Sequence, residues 1–197
     1  QYNNSDFSSG NDLVITSAGN VGIGGTPSAW AGSSTALQIG SLALEDYTVA
    51  GANVSAFYNN AFRNASGNIV YTETDFASSY AQYNGEHIFK VAPSGSADAT
   101  ISFVEAMRID PDGNVGIGTA TPLSKLHIEN TTGNDGIRII NGNAGEGFVI
   151  FGDVADTNIG SIAYNHASNA MTFDANNAER MRITSDGALR VGANRTS

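Results

Sequence analysis

Apolar residues recur at every second position over short stretches of this chain and break off at glycine-bearing turns, a pattern that predicts strands rather than helices. Three segments show it best and align without gaps: Leu13 to Gly24, Met107 to Gly118 and Met181 to Gly192. Each opens on an alternating pair (Leu13 and Ile15, Met107 and Ile109, Met181 and Ile183) and closes on a second one (Val21 and Ile23, Val115 and Ile117, Leu189 and Val191). Between the pairs stand Ser17-Ala18-Gly19-Asn20, Pro111-Asp112-Gly113-Asn114 and Ser185-Asp186-Gly187-Ala188. Glycine reaches positive φ, and Asp or Ser bonds its own backbone, so each segment is predicted to be a β-hairpin.

The repeat also carries Gly22, Gly24, Gly116, Gly118 and Gly192, with Arg190 at the place of Gly22 and Gly116. A strand face bare of side chains implies a closely approaching neighbour, either backbone or a symmetry mate. Pro27 and Pro122 then interrupt the path, and short strands follow at Leu37-Gln38-Ile39 and Leu126-His127-Ile128. The copies are unequally spaced, which argues against a fixed-period solenoid. The organisation expected is a first hairpin module over 1–40, an aromatic-rich β insertion over 41–106, a second hairpin module over 107–130, a second insertion over 131–180 and a third, truncated repeat over 181–197. Both insertions read as β-meanders.

Composition changes this picture in one respect. The chain has 197 residues with 23 Gly and only 14% charged residues, and its apolar share leans on alanine. So little large apolar surface per residue weakly offsets the ordering entropy, and partner chains are expected to complete the core. A net charge of −10 disfavours nucleic acid. With no cysteine there is no disulfide, thiolate metal site or cysteine nucleophile. No apolar run is long enough to insert in a membrane, no signal peptide opens the chain, and the start at Gln1 reads as that of a fragment or processed product.

Arg108 to Thr119, followed by Pro122 and Lys125-Leu126-His127-Ile128, resembles the recurring Gly-Asn-Val-Gly-Ile-Gly-Thr motif of bacteriophage tail fibres and other virion proteins, including those of marine cyanophages. These proteins often place the motif ahead of an endosialidase-type intramolecular chaperone. Tyr80 to Met107 and Phe148 to Met181 resemble modules of the same proteins, so the likeness covers most of 11–192. It implies an all-β, elongated, intertwined homotrimer, with short hairpin collars alternating with β-meander modules. It also implies extracellular placement in the phage tail, contact with other tail or baseplate proteins, and attachment to host surface glycans. The chain departs from the family's fuller form, showing no chaperone domain and no Ser-Lys autoprotease dyad.

Catalytic and ligand chemistry finds little footing. Gly22-Ile23-Gly24 and Gly116-Ile117-Gly118 lack the third glycine and helix of a dinucleotide site. Asp110, Asp112 and Asn114 alternate like calcium ligands, but Thr121 stands where the closing Glu belongs, which favours a turn. His87, His127 and His166 are scattered, leaving only the idea of one meeting its copies on a threefold axis. Glu45, Asp46, Glu73 and Asp75 are the carboxylates of a glycosidase-pair reading. No enzyme activity, cofactor or metal is expected. For glycan contact the candidates are Trp30, Tyr47, Tyr58, Tyr71, Tyr80 and Tyr83, each with trimer core as its competing role. The alternatives to a tail-fibre segment are a tailspike-type glycan depolymerase and a bacterial surface adhesin or filament subunit.

Overall fold

A computed structural model describes residues 13–49, 51–133 and 136–192. The chain is all-β, with no helix among the described residues. It divides into two compact units, Gln1–Asp135 and Gly136–Ser197.

The first unit holds strands β1 (Leu13–Ile15), β2 (Val21–Ile23), β3 (Ser34–Ile39), β4 (Leu42–Val49), β5 (Ala52–Asn59), β6 (Ala61–Arg63), β7 (Ile69–Tyr71), β8 (Asp75–Tyr83), β9 (Glu86–Gly95), β10 (Val104–Ile109), β11 (Val115–Ile117) and β12 (Leu126–Ile128). Ten of them form one sheet in the order β1-β2-β3-β4-β5-β8-β9-β10-β11-β12, and β6 with β7 makes a separate ribbon. The first two repeat hairpins are therefore the two ends of a single sheet. The anticipated limits at 40/41 and 106/107 fall within it, the first in the β3–β4 turn and the second inside β10.

The three repeats share one register. Leu13 pairs with Ile23, Met107 with Ile117 and Met181 with Val191. Their turns close with the same backbone bonds: Gly19, Gly113 and Gly187, all at positive φ, donate to the carbonyls of Thr16, Asp110 and Thr184. After the first two hairpins the chain doubles back to lay a parallel strand alongside, β3 on β2 and β12 on β11.

That return explains the bare face differently from a symmetry mate. Gly22 and Gly116 are buried beneath their own return loops. A Cβ on Gly22 would stand 2.6 Å from Pro27 Cδ, and one on Gly116 2.5 Å from the Thr119 carbonyl oxygen. Gly118 is held at φ 74° with the Glu129 carbonyl against it. Gly116→Ala is accordingly expected to destabilise the fold by about 1–3 kcal/mol through overpacking. Gly32→Ala, with open space around it, should stay within about 0.5 kcal/mol; denaturant titration of the two variants makes the comparison.

The core of this unit lies on one face of the large sheet, which presents mainly small residues there: Ala36, Ala43, Ala56, Ala77 and Ala92. Small side chains let the β6–β7 ribbon and its flanking loops come close, and these supply the bulk as Trp30, Phe62, Val70, Tyr71 and Ile101. Trp30 packs edge-on against Phe62 at 5.9 Å, while its indole N–H donates to Gln38 Oε1 at 3.1 Å. One ion pair pins the ribbon to the sheet: Arg63 Nε lies 3.0 Å from Glu45 Oε1, with the Glu45 side chain wholly buried.

The second unit is a five-stranded antiparallel meander of β13 (Glu146–Phe151), β14 (Gly160–Asn165), β15 (Ala170–Ala175), β16 (Glu179–Ile183) and β17 (Leu189–Val191), in sequence order. The third repeat hairpin, β16–β17, is its last ribbon. Ile137 and Ile139, expected within the second meander, lie ahead of β13 and outside any strand.

Candidate functional site

Residues directly opposite one another in a sheet share a face. Followed across the first unit, the register joins Ile15, Val21, Leu37, Leu44, Phe57, Tyr80, Phe89, Met107, Ile117 and Ile128, one from each strand of the large sheet. At the usual strand spacing this apolar row runs roughly 40 Å. It lies on the face away from the core, and no described residue of the unit covers it: Ile15, Leu44, Phe57, Phe89 and Ile117 are all exposed. A polar row runs beside it over the middle strands, through Thr35, Asp46, Ser55, Gln82 and His87. Between β2 and β8 the two rows shape a shallow groove lined by Leu37, Leu44, Phe57 and Tyr80.

The second unit repeats the arrangement. Val149, Ile162, Phe173, Met181 and Val191 form one cross-strand row, and Tyr164, Met171, Ile183 and Leu189 another on the same face. Most of these side chains are exposed.

The six aromatic candidates separate cleanly. Trp30, Tyr58 and Tyr71 are buried in the core, so none of these rings offers a face to a sugar. Tyr71 sends its hydroxyl to the Pro93 carbonyl at 2.6 Å. Tyr47 is half-buried beneath the Arg63 guanidinium, 3.9 Å above its ring. Burial raises the pKa of Tyr47 and, more strongly, of Tyr58, where Glu45 adds to the effect. Tyr83 is half-buried at the end of β8. Tyr80 alone belongs to the apolar row; it stacks on Phe89 at 4.9 Å, and its hydroxyl meets His87 Nδ1 at 2.5 Å. Phe57 and Phe89, its exposed neighbours, belong to the alternating aromatic positions of the 41–106 insertion but are not among the six candidates.

The acidic candidates are spread apart. Glu45 and Asp46 are successive residues of β4 and point to opposite faces, one into the core and one into the polar row. Glu73 and Asp75 are exposed near the start of β8. Asp110 serves its turn: its Oδ1 accepts from the backbone N–H of Asp112 at 2.9 Å and of Asn114 at 2.8 Å, and its Oδ2 accepts from Asn114 Nδ2 at 3.0 Å. Among the described residues no three His, Asp or Glu side chains gather as a metal site would require. His127 accepts from the Leu123 N–H at 3.3 Å, and His166 meets Tyr164 edge-on at 5.0 Å.

Those turn bonds, the one to the Asn114 N–H foremost, hold the Asp110 carboxyl below its ordinary pKa. A depressed folded pKa means that the contribution is complete above the unfolded value near ~3.9 and is lost as pH falls through the folded one. Acidification below about pH 4 should therefore loosen the second hairpin turn, seen as faster exchange of the Asn114 amide while the sheet's central amides stay protected.

A pattern not singled out from sequence precedes two of the hairpins. Glu105 and Arg108, like Glu179 and Arg182, stand three apart in a strand and should face opposite ways, yet a bulge brings each pair together. The bulge carbonyls, of Ala106 and Arg180, accept from the positive-φ Gly118 and Gly192. Gly24 takes the same conformation in the first copy. No family model matches the sequence, and no curated protein matches it.

Proposed function

We propose that this chain is a structural segment of a bacteriophage tail fibre, a homotrimer that joins other tail or baseplate proteins and contributes to attachment at the host surface. The observation that carries the trimeric part is the apolar row crossing all ten strands of the first unit's sheet with none of the described residues over it. A contiguous apolar surface of this extent is foreign to a soluble monomer. Three copies turning these faces inward would bury them, and would add a second core on the face opposite the alanine-rich one. Support for the phage placement is the repeated motif around Gly113 to Gly118 and the congruent geometry of its three copies. Host contact falls to surfaces left outside such a core; of the six aromatic candidates, Tyr47 and Tyr83 keep partial exposure there.

The dispersed carboxylates favour this reading over a tailspike depolymerase, since a glycosidase pair must face one bond from both sides. Light scattering tests the assembly: three copies of the 20.4 kDa chain are expected, and a stable monomer overturns the reading. Antiserum against the chain should decorate the fibres of the phage particles that carry it; decoration of bacterial cells alone would favour the adhesin alternative.

A further inference from the structure

The three hairpins are congruent, but among the described residues only two are completed by a third strand. On β11, the Val115 N–H donates to the Lys125 carbonyl and the Ile117 carbonyl accepts from the Glu129 N–H, both at 2.9 Å, and so β12 is held in parallel. The equivalent residues of the third copy are Leu189 and Val191. Within β16–β17, Ala188 and Gly192 bond inward to Thr184 and Arg180, so by alternation Leu189 and Val191 aim their backbone groups at the open edge of the sheet. That edge has no strand beside it among the described residues.

Arg190 decides what can fill it. In the first two copies the return loop packs on Gly22 or Gly116 so closely that a Cβ would collide with it. Arg190 has that Cβ, so a loop of the same form cannot lie over β17. The completing strand must arrive by another route.

We propose that the open edge of β17 accepts β13 of a second copy in parallel, so that the five-stranded sheets of three copies join edge to edge in a closed ring. This rests on the homotrimer proposed above and names its contact in the second unit. Four observations converge on β13. It is the other edge strand of the same sheet, paired among the described residues only with β14. In an antiparallel meander of five strands the first and last run the same way, and rotation about an axis along the strands preserves direction. A neighbour's β13 therefore meets β17 in parallel, as β3 meets β2 and β12 meets β11. With Val149 opposite Val191, the row Val149, Ile162, Phe173, Met181 and Val191 continues unbroken into the next copy.

Charge matches as well. Arg190 faces Arg182 across the hairpin and makes no ion pair among the described residues, whereas Arg182 is paired with Glu179. In the register given, Phe148 of the neighbour lies opposite Arg190 and Glu146 lies diagonal to it on the same face, within reach of a long side chain. Closure also removes both free edges, a hazard that an isolated sheet of this kind would keep.

The full chain has no cysteine, so a V149C/V191C variant reports this contact alone. Both positions are exposed in the single copy, Val149 at 49% and Val191 at 76%, which leaves folding undisturbed. Oxidation should convert the double variant into covalent species that stop at the trimer, while V149C and V191C alone give none. A trimeric mass without cross-links overturns this contact and leaves the homotrimer standing; a monomeric mass overturns both. A covalent ladder running past three copies, or cross-linking in either single variant, overturns the closed parallel ring. Independently, R190E should weaken the trimer about fivefold for each contact, and R190E/E146R should restore it; failure of that rescue counts against the register.

Discussion

Replacing Arg63 with methionine is expected to destabilise the first unit by about 3–5 kcal/mol. The cause lies in what remains behind. Glu45 is wholly buried on the core face of β4, where its Oε1 receives Arg63 Nε and the Ser34 hydroxyl, and its Oε2 has no hydrogen-bond partner. Without the guanidinium a carboxylate is left in an apolar interior with one hydroxyl for company. The guanidinium also covers the Tyr47 ring at 3.9 Å, so the loss includes packing. Burial alone would lower the pKa of Arg63, but the carboxylate of Glu45, with Tyr58 and Tyr47, raises it. The guanidinium therefore stays charged. Removing them together should behave differently: E45M/R63M is expected to recover most of the stability, because desolvating two charges offsets much of their attraction. Trp30, the single tryptophan of the chain, sits in the same core, and its fluorescence follows denaturant unfolding of both variants. Equal loss in the single and double variants would mean that the pair acts through packing alone.

How far the sequence discloses this arrangement depends on the range of the physics. Alternation and turn chemistry act over a few residues, and they locate the three hairpins and the strands at Leu37 and Leu126. The parallel return is harder to read, since Pro27 and Pro122 announce a break without saying which way the chain resumes. For the same reason the bareness of Gly22 and Gly116 suggests a neighbour without naming it, and the neighbour is each strand's own loop. Trp30, Tyr58 and Tyr71 look alike in sequence to Tyr80. What separates them is the alanines at Ala36, Ala43, Ala56, Ala77 and Ala92, which open one face of the sheet to the ribbon. Small residues at strand-alternate positions were the available signal, and it becomes legible once the strands are known to be neighbours. The pairs of Glu105 with Arg108 and Glu179 with Arg182 were hidden by their spacing, because a bulge is what reverses the direction of one member.

In the homotrimer proposed above, Phe57→Asp should reduce the solution mass from three copies to one while leaving the strand signal in circular dichroism unchanged. In the single chain Phe57 is 43% exposed and contacts the groove beside Tyr80, so a carboxylate there meets water and costs the isolated fold little. In an assembly that turns the apolar row inward, the same carboxylate is stripped of water three times over, once per copy. With less than half of the ring left to bury, the burial forfeited is about 0.6–1.3 kcal/mol for each phenylalanine, or roughly 2–4 kcal/mol per trimer, before any penalty for the charge. At about 1.4 kcal/mol per factor of ten, that alone is more than tenfold in the assembly constant. Val154→Asp supplies the contrast: Val154 is fully exposed in the connection after β13 and belongs to no cross-strand row, so its mass should stay that of the parent. Should F57D remain trimeric, the row would be no interface and the copies would have to meet through their edges alone, a separation that cross-linking of β13 to β17 can detect by itself. If both substitutions dissociate the protein equally, general surface apolarity rather than the register-defined row is what holds the copies together.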